Sequence, residues 1–413
     1  MEKIDLNIII IYIIIMINIC TLGSVADGKS TMVKMLTGEK TQRDSRELIK
    51  NITINAGYAN LKIWKCDICQ AKYSSGEKLL EYNCETCSNN CNLIKYISFA
   101  DCPGHQELIT TMMSSVALMH GAIVIVSVEN TLNEKPQLRQ HLLTAKLANI
   151  SNIIICLNKC DLQSKSIVIE RYNELKAILL ELDIIPNIII PTSFTNNCGY
   201  NYLLDAIDKY FTNNQTLTGN TLFRITRTFD INKPGIPYND VLGGCLGGTL
   251  ISGNLKINDQ VEIRPGILTK GKNGRYISEP ILTTLLSFET NSNNIEELNP
   301  GGLVAIRTTV DPFFCKGNNM LCGNVLGPVG ELPEVYHDID IEYTKINEIW
   351  EPKNGDQIFL QIENMTSEAR LTKIKGVKFS IQLIKPTCIS NNTKMLVCRK
   401  HPMITIVGVG KLV

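Results

Sequence analysis

Three short segments place side chains at spacings that suit phosphate and purine chemistry. Gly23-Ser24-Val25-Ala26-Asp27-Gly28-Lys29-Ser30-Thr31 matches G-x-x-x-x-G-K-[ST]. In such a loop the glycines let backbone N–H groups, those of Ala26 and Asp27 among them, close around the α- and β-phosphates. Lys29 reaches the β- and γ-phosphates, the Ser30 hydroxyl ligates Mg²⁺, and the helix opening at Thr31 adds partial positive charge. Asp101-Cys102-Pro103-Gly104-His105 follows. An acidic residue at a strand end can hold Mg²⁺ through water, and the Gly104 N–H can sense a γ-phosphate. Asn158-Lys159-Cys160-Asp161 is the third segment. N-K-x-D at a strand end selects guanine, because the Asp161 carboxylate pairs with the ring N1–H and the exocyclic amine, a fit adenine cannot offer. Downstream, a backbone N–H in the Ser193-Phe194-Thr195 stretch can meet the guanine O6.

A fourth group concerns metal. Cys66-Asp67-Ile68-Cys69 and Cys84-Glu85-Thr86-Cys87 are two C-x2-C pairs with 14 residues between them. Two knuckles of this kind bring four thiolates to one tetrahedral ion, and four thiolates leave no open position, so the expected role is structural zinc. Cys91 lies close enough to serve as a spare ligand, whereas Cys156, Cys245 and Cys322 sit in apolar or Gly-rich settings and read as small core residues.

The elements that must position these groups alternate. Met16–Leu22, Leu93–Ala100, Ala122–Val128, Asn152–Leu157 and Ile188–Pro191 read as buried strands. Helical spacing recurs over Lys135–Ile150, Ser166–Glu181 and Tyr200–Phe211. Motifs at strand C-termini between alternating helices imply a doubly wound, mainly parallel α/β sheet. The composition turns polar over Thr212–Asn220. Short β-branched stretches then alternate with Gly- and Pro-rich turns, the pattern of two β-barrels. The expected division is residues 1–215 for the nucleotide domain, with the zinc insertion at about 64–90, then barrels over 220–328 and 334–413.

The chain has 413 residues, enough for roughly three domains at about 150 residues each. With 41 Lys+Arg against 40 Asp+Glu, its formal charge is +1, which excludes a strongly basic chain. Any nucleic-acid contact must come from a local patch; Arg224, Arg227, Arg264, Lys270, Lys272 and Arg275 are the candidates, and a solvated face is an equal reading of them. The apolar run Ile8–Ile17 raises a membrane anchor or signal peptide. The run is short, and the strand entering Gly23 already uses its end. We therefore expect a buried first strand with an apolar extension, and no membrane.

The series of P-loop, D-x-P-G-H and N-K-x-D resembles the translational GTPases of the elongation factor Tu superfamily. Arg46–Asn60 (RELIKNITINAGYAN), the zinc knuckle after it, and FRITRTFDINKPG, GGCLGGTLISG and VEIRPGI in the second half narrow the match. They resemble the gamma subunit of eukaryotic and archaeal translation initiation factor 2. That resemblance implies GTP/GDP, Mg²⁺ and structural Zn²⁺ as cofactors. It assigns Thr53 to Mg²⁺ in the GTP state and His105 to orienting the attacking water, with Lys29 as the third catalytic group. It implies a cytoplasmic carrier of initiator methionyl-tRNA to the small ribosomal subunit, assembled with alpha and beta subunits. Hydrolysis would be promoted by a GTPase-activating protein and reset by an exchange factor.

Two departures carry a physical expectation. The family usually has histidines where this chain has Ser24 and Asp27. A carboxylate beside the phosphates opposes their charge unless a metal or its own orientation offsets it. One rival function is therefore a scaffold subunit with a weakened nucleotide site. Another is an elongation-type carrier such as the selenocysteine-specific factor, against which the zinc knuckle argues.

Overall fold

A computed structural model describes residues 16–41, 57–105, 108–132, 135–212, 219–272, 274–290, 293–316, 320–346, 349–391, 393–400 and 404–413. The isoleucine-rich start up to residue 15 and the stretch holding Thr53 lie outside these. The chain divides into two compact units, residues 1–214 and 215–413.

In the first unit the apolar runs become strands because both faces of each are covered. They are β1 (Met16–Leu22), β2 (Gly57–Lys65), β3 (Lys72–Gly76), β4 (Tyr82–Asn83), β5 (Asn90–Asp101), β6 (Gly121–Ser127), β7 (Asn152–Asn158) and β8 (Ile188–Pro191). The sheet order is β3-β2-β5-β1-β6-β7-β8, with β4 paired to β5. Strands β5, β1, β6, β7 and β8 run parallel. Every residue of β6 is buried, as a parallel strand under helices on both faces requires. The helices are α1 (Lys29–Thr37), α2 (Ile109–Val116), α3 (Pro136–Leu147), α4 (Lys165–Glu181) and α5 (Tyr200–Tyr210). Proline opens α3 at its first position, where a missing N–H costs nothing.

Strand β2 is antiparallel to β5 and was not anticipated, although Ala59, Leu61 and Ile63 alternate with Asn60 and Lys62; Lys62 is buried because its ammonium donates to the Glu77 and Leu79 carbonyls, each at 2.8 Å. Strand β5 is also longer than expected, running from Asn90 to Asp101. Its early half pairs with β4 and its late half with β1, so one strand joins the thiol cluster to the phosphate loop.

The second unit contains two closed barrels. The first uses β9 (Leu222–Phe229), β10 (Cys245–Ser252), β12 (Gln260–Lys270), β13 (Tyr276–Thr290), β16 (Val304–Thr308) and β17 (Val325–Pro328). Their order is β12-β17-β9-β10-β16-β13, and β12 pairs with β13 to close the ring. The short β14 (Asn293–Ile295) extends β13, and β11 (Leu255–Lys256) pairs with β15 (Glu297–Leu298) at the side. The second barrel closes β18 (Val335–Lys345), β19 (Gln357–Ile362), β20 (Met365–Lys375), β21 (Lys378–Cys388), β22 (Lys394–Arg399) and β23 (Thr405–Leu412) in the order β18-β21-β20-β19-β22-β23. Closure leaves no open edge, the usual weakness of antiparallel sheets.

Three of the six basic candidates are engaged within the barrels. Arg224 is buried and pairs with Glu363, Arg264 pairs with Glu262 and donates to the Leu332 carbonyl at 3.1 Å, and Arg275 meets Asp338 at 3.1 Å. Asn364 Nδ2 donates to the Ile225 carbonyl at 3.2 Å, so Arg224–Glu363 and this bond join one barrel to the other. Among the described residues no helix is long and apolar enough to cross a membrane.

Candidate guanine-nucleotide site and thiol cluster

The turn after β1 is built on glycine. Gly23 has φ +142°, and a Cβ there would lie 2.2 Å from the Ile125 carbonyl oxygen. Gly28 has φ +105° and opens α1, so the first amides of that helix face outward. Lys29 folds back over the loop: its Nζ donates to the Gly23 carbonyl at 2.9 Å and to the Ser24 carbonyl at 2.7 Å. Burial lowers its pKa below the usual lysine value, and Asp27 and Asp101 offset part of that. The loop amides have partners too. The Gly23 N–H donates to His141 Nδ1 at 3.0 Å, and the Ser24 N–H donates to Asp27 Oδ2 at 2.8 Å.

Asp101, fully buried, gathers three hydroxyls. Thr21 Oγ1 donates at 2.8 Å, Ser30 Oγ at 2.6 Å and Thr41 Oγ1 at 2.6 Å. Carboxylate and hydroxyl oxygens are the hard donors a magnesium ion takes, so the set fits that ion. Gly104 approaches the loop so closely that a Cβ would meet Lys29 Nζ at 2.4 Å and the Gly23 carbonyl oxygen at 2.8 Å. Buried Ser24 Oγ has no hydrogen-bond partner among the described residues, which suits an oxygen-bearing ligand in this loop.

The N-K-x-D turn joins the same loop. Asn158 Nδ2 donates to the Asp27 carbonyl at 2.9 Å, and Asn158 Oδ1 accepts from the Phe194 N–H at 3.3 Å. Lys159 takes φ +65° and pairs with Glu129. Asp161 is exposed, and its Oδ2 accepts from Asn196 at 3.1 Å.

A cavity of about 560 Å³ lies over these groups. Ala26, Gly28, Lys29, Ser30, Thr31, Gly104 and His105 line one part, and Asn158, Lys159, Ser193, Phe194 and Thr195 line the other. Gly23, Asp27 and Asp101 are buried in its wall, while Cys160 and Asp161 stand off the lining. Thr53 is outside the described residues. Lys34, Lys40 and Thr41 also line the cavity and were not anticipated. Thr41 follows the end of α1 with no motif around it, so only its contact with Asp101 reveals it.

Asp27 does not stand as an unmatched charge. Lys135 Nζ meets its Oδ1 at 2.9 Å, and the Ser24 amide occupies its Oδ2. The orientation that would offset the carboxylate is therefore in place.

The four thiols of Cys66, Cys69, Cys84 and Cys87 gather within 4.8 Å of one another. Each pair sits on a tight knuckle: Gln70 N–H returns to the Cys66 carbonyl and Ser88 N–H to the Cys84 carbonyl, with Gln70 and Ser88 both at positive φ. Cys66–Cys87 and Cys69–Cys84 Sγ separations are 3.4 and 3.2 Å. Corners of a tetrahedron with bonds of about 2.3 Å lie about 3.8 Å apart, so the group is compatible with a zinc ion. Cys91 is buried in the aromatic cluster of Trp64, Tyr73 and Tyr82 and is not one of the four. The hairpin is tied to α5 by Lys72 to Asp205 (2.8 Å) and by the Ser74 N–H to Tyr200 Oη (3.0 Å).

Comparison with known proteins places these features. The family model for the elongation factor Tu GTP binding domain matches residues 15–213. The chain is 34% identical to the eukaryotic translation initiation factor 2 subunit gamma of Schizosaccharomyces pombe, over 93% of this chain and 90% of that one. It is 32% identical to the subunit of the same name from Encephalitozoon cuniculi, over 93% and 89%. It is 33% identical to the translation initiation factor 2 subunit gamma of Pyrococcus furiosus, over 93% and 94%. Among solved structures, a bacterial selenocysteine-specific elongation factor superposes with TM-score 0.71 at 17% identity, covering 96% of this chain and 58% of its own length. Elongation factor SelB of Methanococcus maripaludis, bound to the GTP analogue GppNHp, gives 0.68 at 17% identity, over 96% and 78%. The two structures speak for the fold alone.

Proposed function

Since this chain belongs to the family of translation initiation factor 2 gamma subunits, and is thus a translational GTPase, we propose that it carries initiator methionyl-tRNA to the small ribosomal subunit. Release of the tRNA follows hydrolysis of GTP. The observation that carries the reading is the single cavity shared by Lys29, Ser30, Gly104 and Asn158, with Asp101 in its wall.

In this reading GTP lies along the cavity, its phosphates over the amides of Gly23 to Thr31 and its base at Asn158, Lys159, Cys160 and Asp161. Lys29 neutralises the β- and γ-phosphates, and Gly104 donates its N–H to the γ-phosphate. His105 orients a water for attack on the γ-phosphorus. The bond to the bridging oxygen breaks, GDP and phosphate leave, and a proton passes to solvent. Magnesium, when bound by Ser30, Thr53 and, through water, Asp101, supplies charge neutralisation at the phosphates. Cys66, Cys69, Cys84 and Cys87 hold a structural zinc. Three domains (1–215, 220–328, 334–413) share the work, in partnership with alpha and beta subunits, an activating protein and an exchange factor, in the cytoplasm.

Contacts that form only with the γ-phosphate would favour the tRNA-binding arrangement, and their loss would release it. The test is filter binding of charged initiator tRNA. Affinity at least about tenfold tighter with a GTP analogue than with GDP is expected, and equal affinity in the two states would defeat the switch.

A further inference from the structure

Asp27 is the one acidic side chain of the phosphate loop Gly23–Ser30. Its side chain is almost wholly buried, and both oxygens are engaged: Oδ2 with the Ser24 amide at 2.8 Å and Oδ1 with Lys135 Nζ at 2.9 Å. Lys135 is itself largely buried and also donates to the Ser127 carbonyl at 3.1 Å. It reaches this position from the N-terminal edge of α3, directly before Pro136. A cation there is opposed by the helix dipole, so α3 alone gives no reason for a lysine. The reason lies across the cavity wall. One turn and a half further along α3, His141 Nδ1 accepts the Gly23 N–H at 3.0 Å. Two successive loop amides are thus held from one helix, Gly23 directly and Ser24 through the Asp27–Lys135 pair.

We propose that Lys135 is a positioning residue for nucleotide binding, cancelling the Asp27 charge beside the phosphates and holding that carboxylate on the Ser24 amide. The role presupposes the guanine-nucleotide site proposed above. Without Lys135, a buried carboxylate faces the phosphates unpaired, where low dielectric magnifies repulsion. It also loses the ammonium that fixes its rotamer, and the loop turn loosens.

The experiment is titration of a fluorescent GDP, with Mg²⁺ present, into the full chain and its variants. Lys135→Gln is expected to weaken binding at least about twentyfold, and Lys135→Arg to stay within about fivefold of the unaltered chain. Adding Asp27→Asn to Lys135→Gln is expected to recover at least about fivefold, because the repulsion has then been removed. Lys135→Gln within about threefold of the unaltered chain, or a double variant no better than the single one, would overturn the role. Should Lys135→Gln alone fail to fold, the double variant decides: folding and binding support the pairing, and failure to bind overturns it. Absence of GDP binding in the unaltered chain is a separate result, which would overturn the nucleotide site itself.

Discussion

Asp161 stands exposed at the end of the N-K-x-D turn, its carboxylate held toward Asn196 at 3.1 Å. Two charge-assisted bonds to a guanine edge contribute about 3 kcal/mol together. Asp161→Ala is therefore expected to lower GTP affinity roughly a hundredfold while leaving weak ATP binding unchanged, read by competition titration. His141 yields a prediction in pH. Burial, with a smaller share from Lys29, pushes its pKa down from 6.5 to about 3, so the folded chain keeps it neutral. The unfolded chain takes up that proton as pH falls below 6.5, and stability falls with it, by about 1.4 kcal/mol per pH unit until the folded value is reached. His141→Gln should remove that slope in urea unfolding between pH 6.5 and 5; an unchanged slope would sink the assignment. At this scale the motif residues were readable because their chemistry is local in sequence. Lys135, Thr41 and His141 were not, since each acts through one long-range contact that no spacing announces.

Elements decide what those residues can reach. The phosphate loop packs directly on Gly104, leaving no room for a Cβ against Lys29 and the Gly23 carbonyl. Gly104→Ala should force the loop backbone to shift, at about 2 kcal/mol or roughly thirtyfold in GTP affinity, measured against GDP affinity in the same variant. The hairpin that carries the four thiols is a separate element, joined to the sheet through β2 and β5 and to α5 through Lys72. One zinc per chain is expected by elemental analysis. Cys84→Ser should lose it and lower the melting temperature, while fluorescent GDP still binds, because no thiol of the cluster lines the cavity. The parallel strands were readable from their apolar runs. β2 alternates Ala59, Leu61 and Ile63 with Asn60 and Lys62, but its start falls inside the Arg46–Asn60 stretch and was read only for that resemblance; the two barrels were readable only as turn-punctuated β stretches, since pairing order is a long-range property.

Across the whole molecule, the two tryptophans fall one in each compact unit, Trp64 beside the thiol cluster and Trp350 in the last barrel's core. With Trp64→Phe as background, Trp350 emission follows the barrels alone. Glu363→Gln leaves the buried Arg224 guanidinium without its counter-charge and should cost about 3 kcal/mol, seen as a lower denaturation midpoint of that emission. An unchanged midpoint would mean that the ion pair adds nothing to how the barrels hold together. Strand β5 carries one more implication. Cys91 and Asp101 lie on it about 33 Å apart at about 3.3 Å per residue. Cobalt(II) accepts tetrahedral thiolates as zinc does and absorbs visible light. Loaded into the knuckle, it becomes a coloured landmark at a fixed span, from which energy transfer to a dye-labelled nucleotide can be gauged.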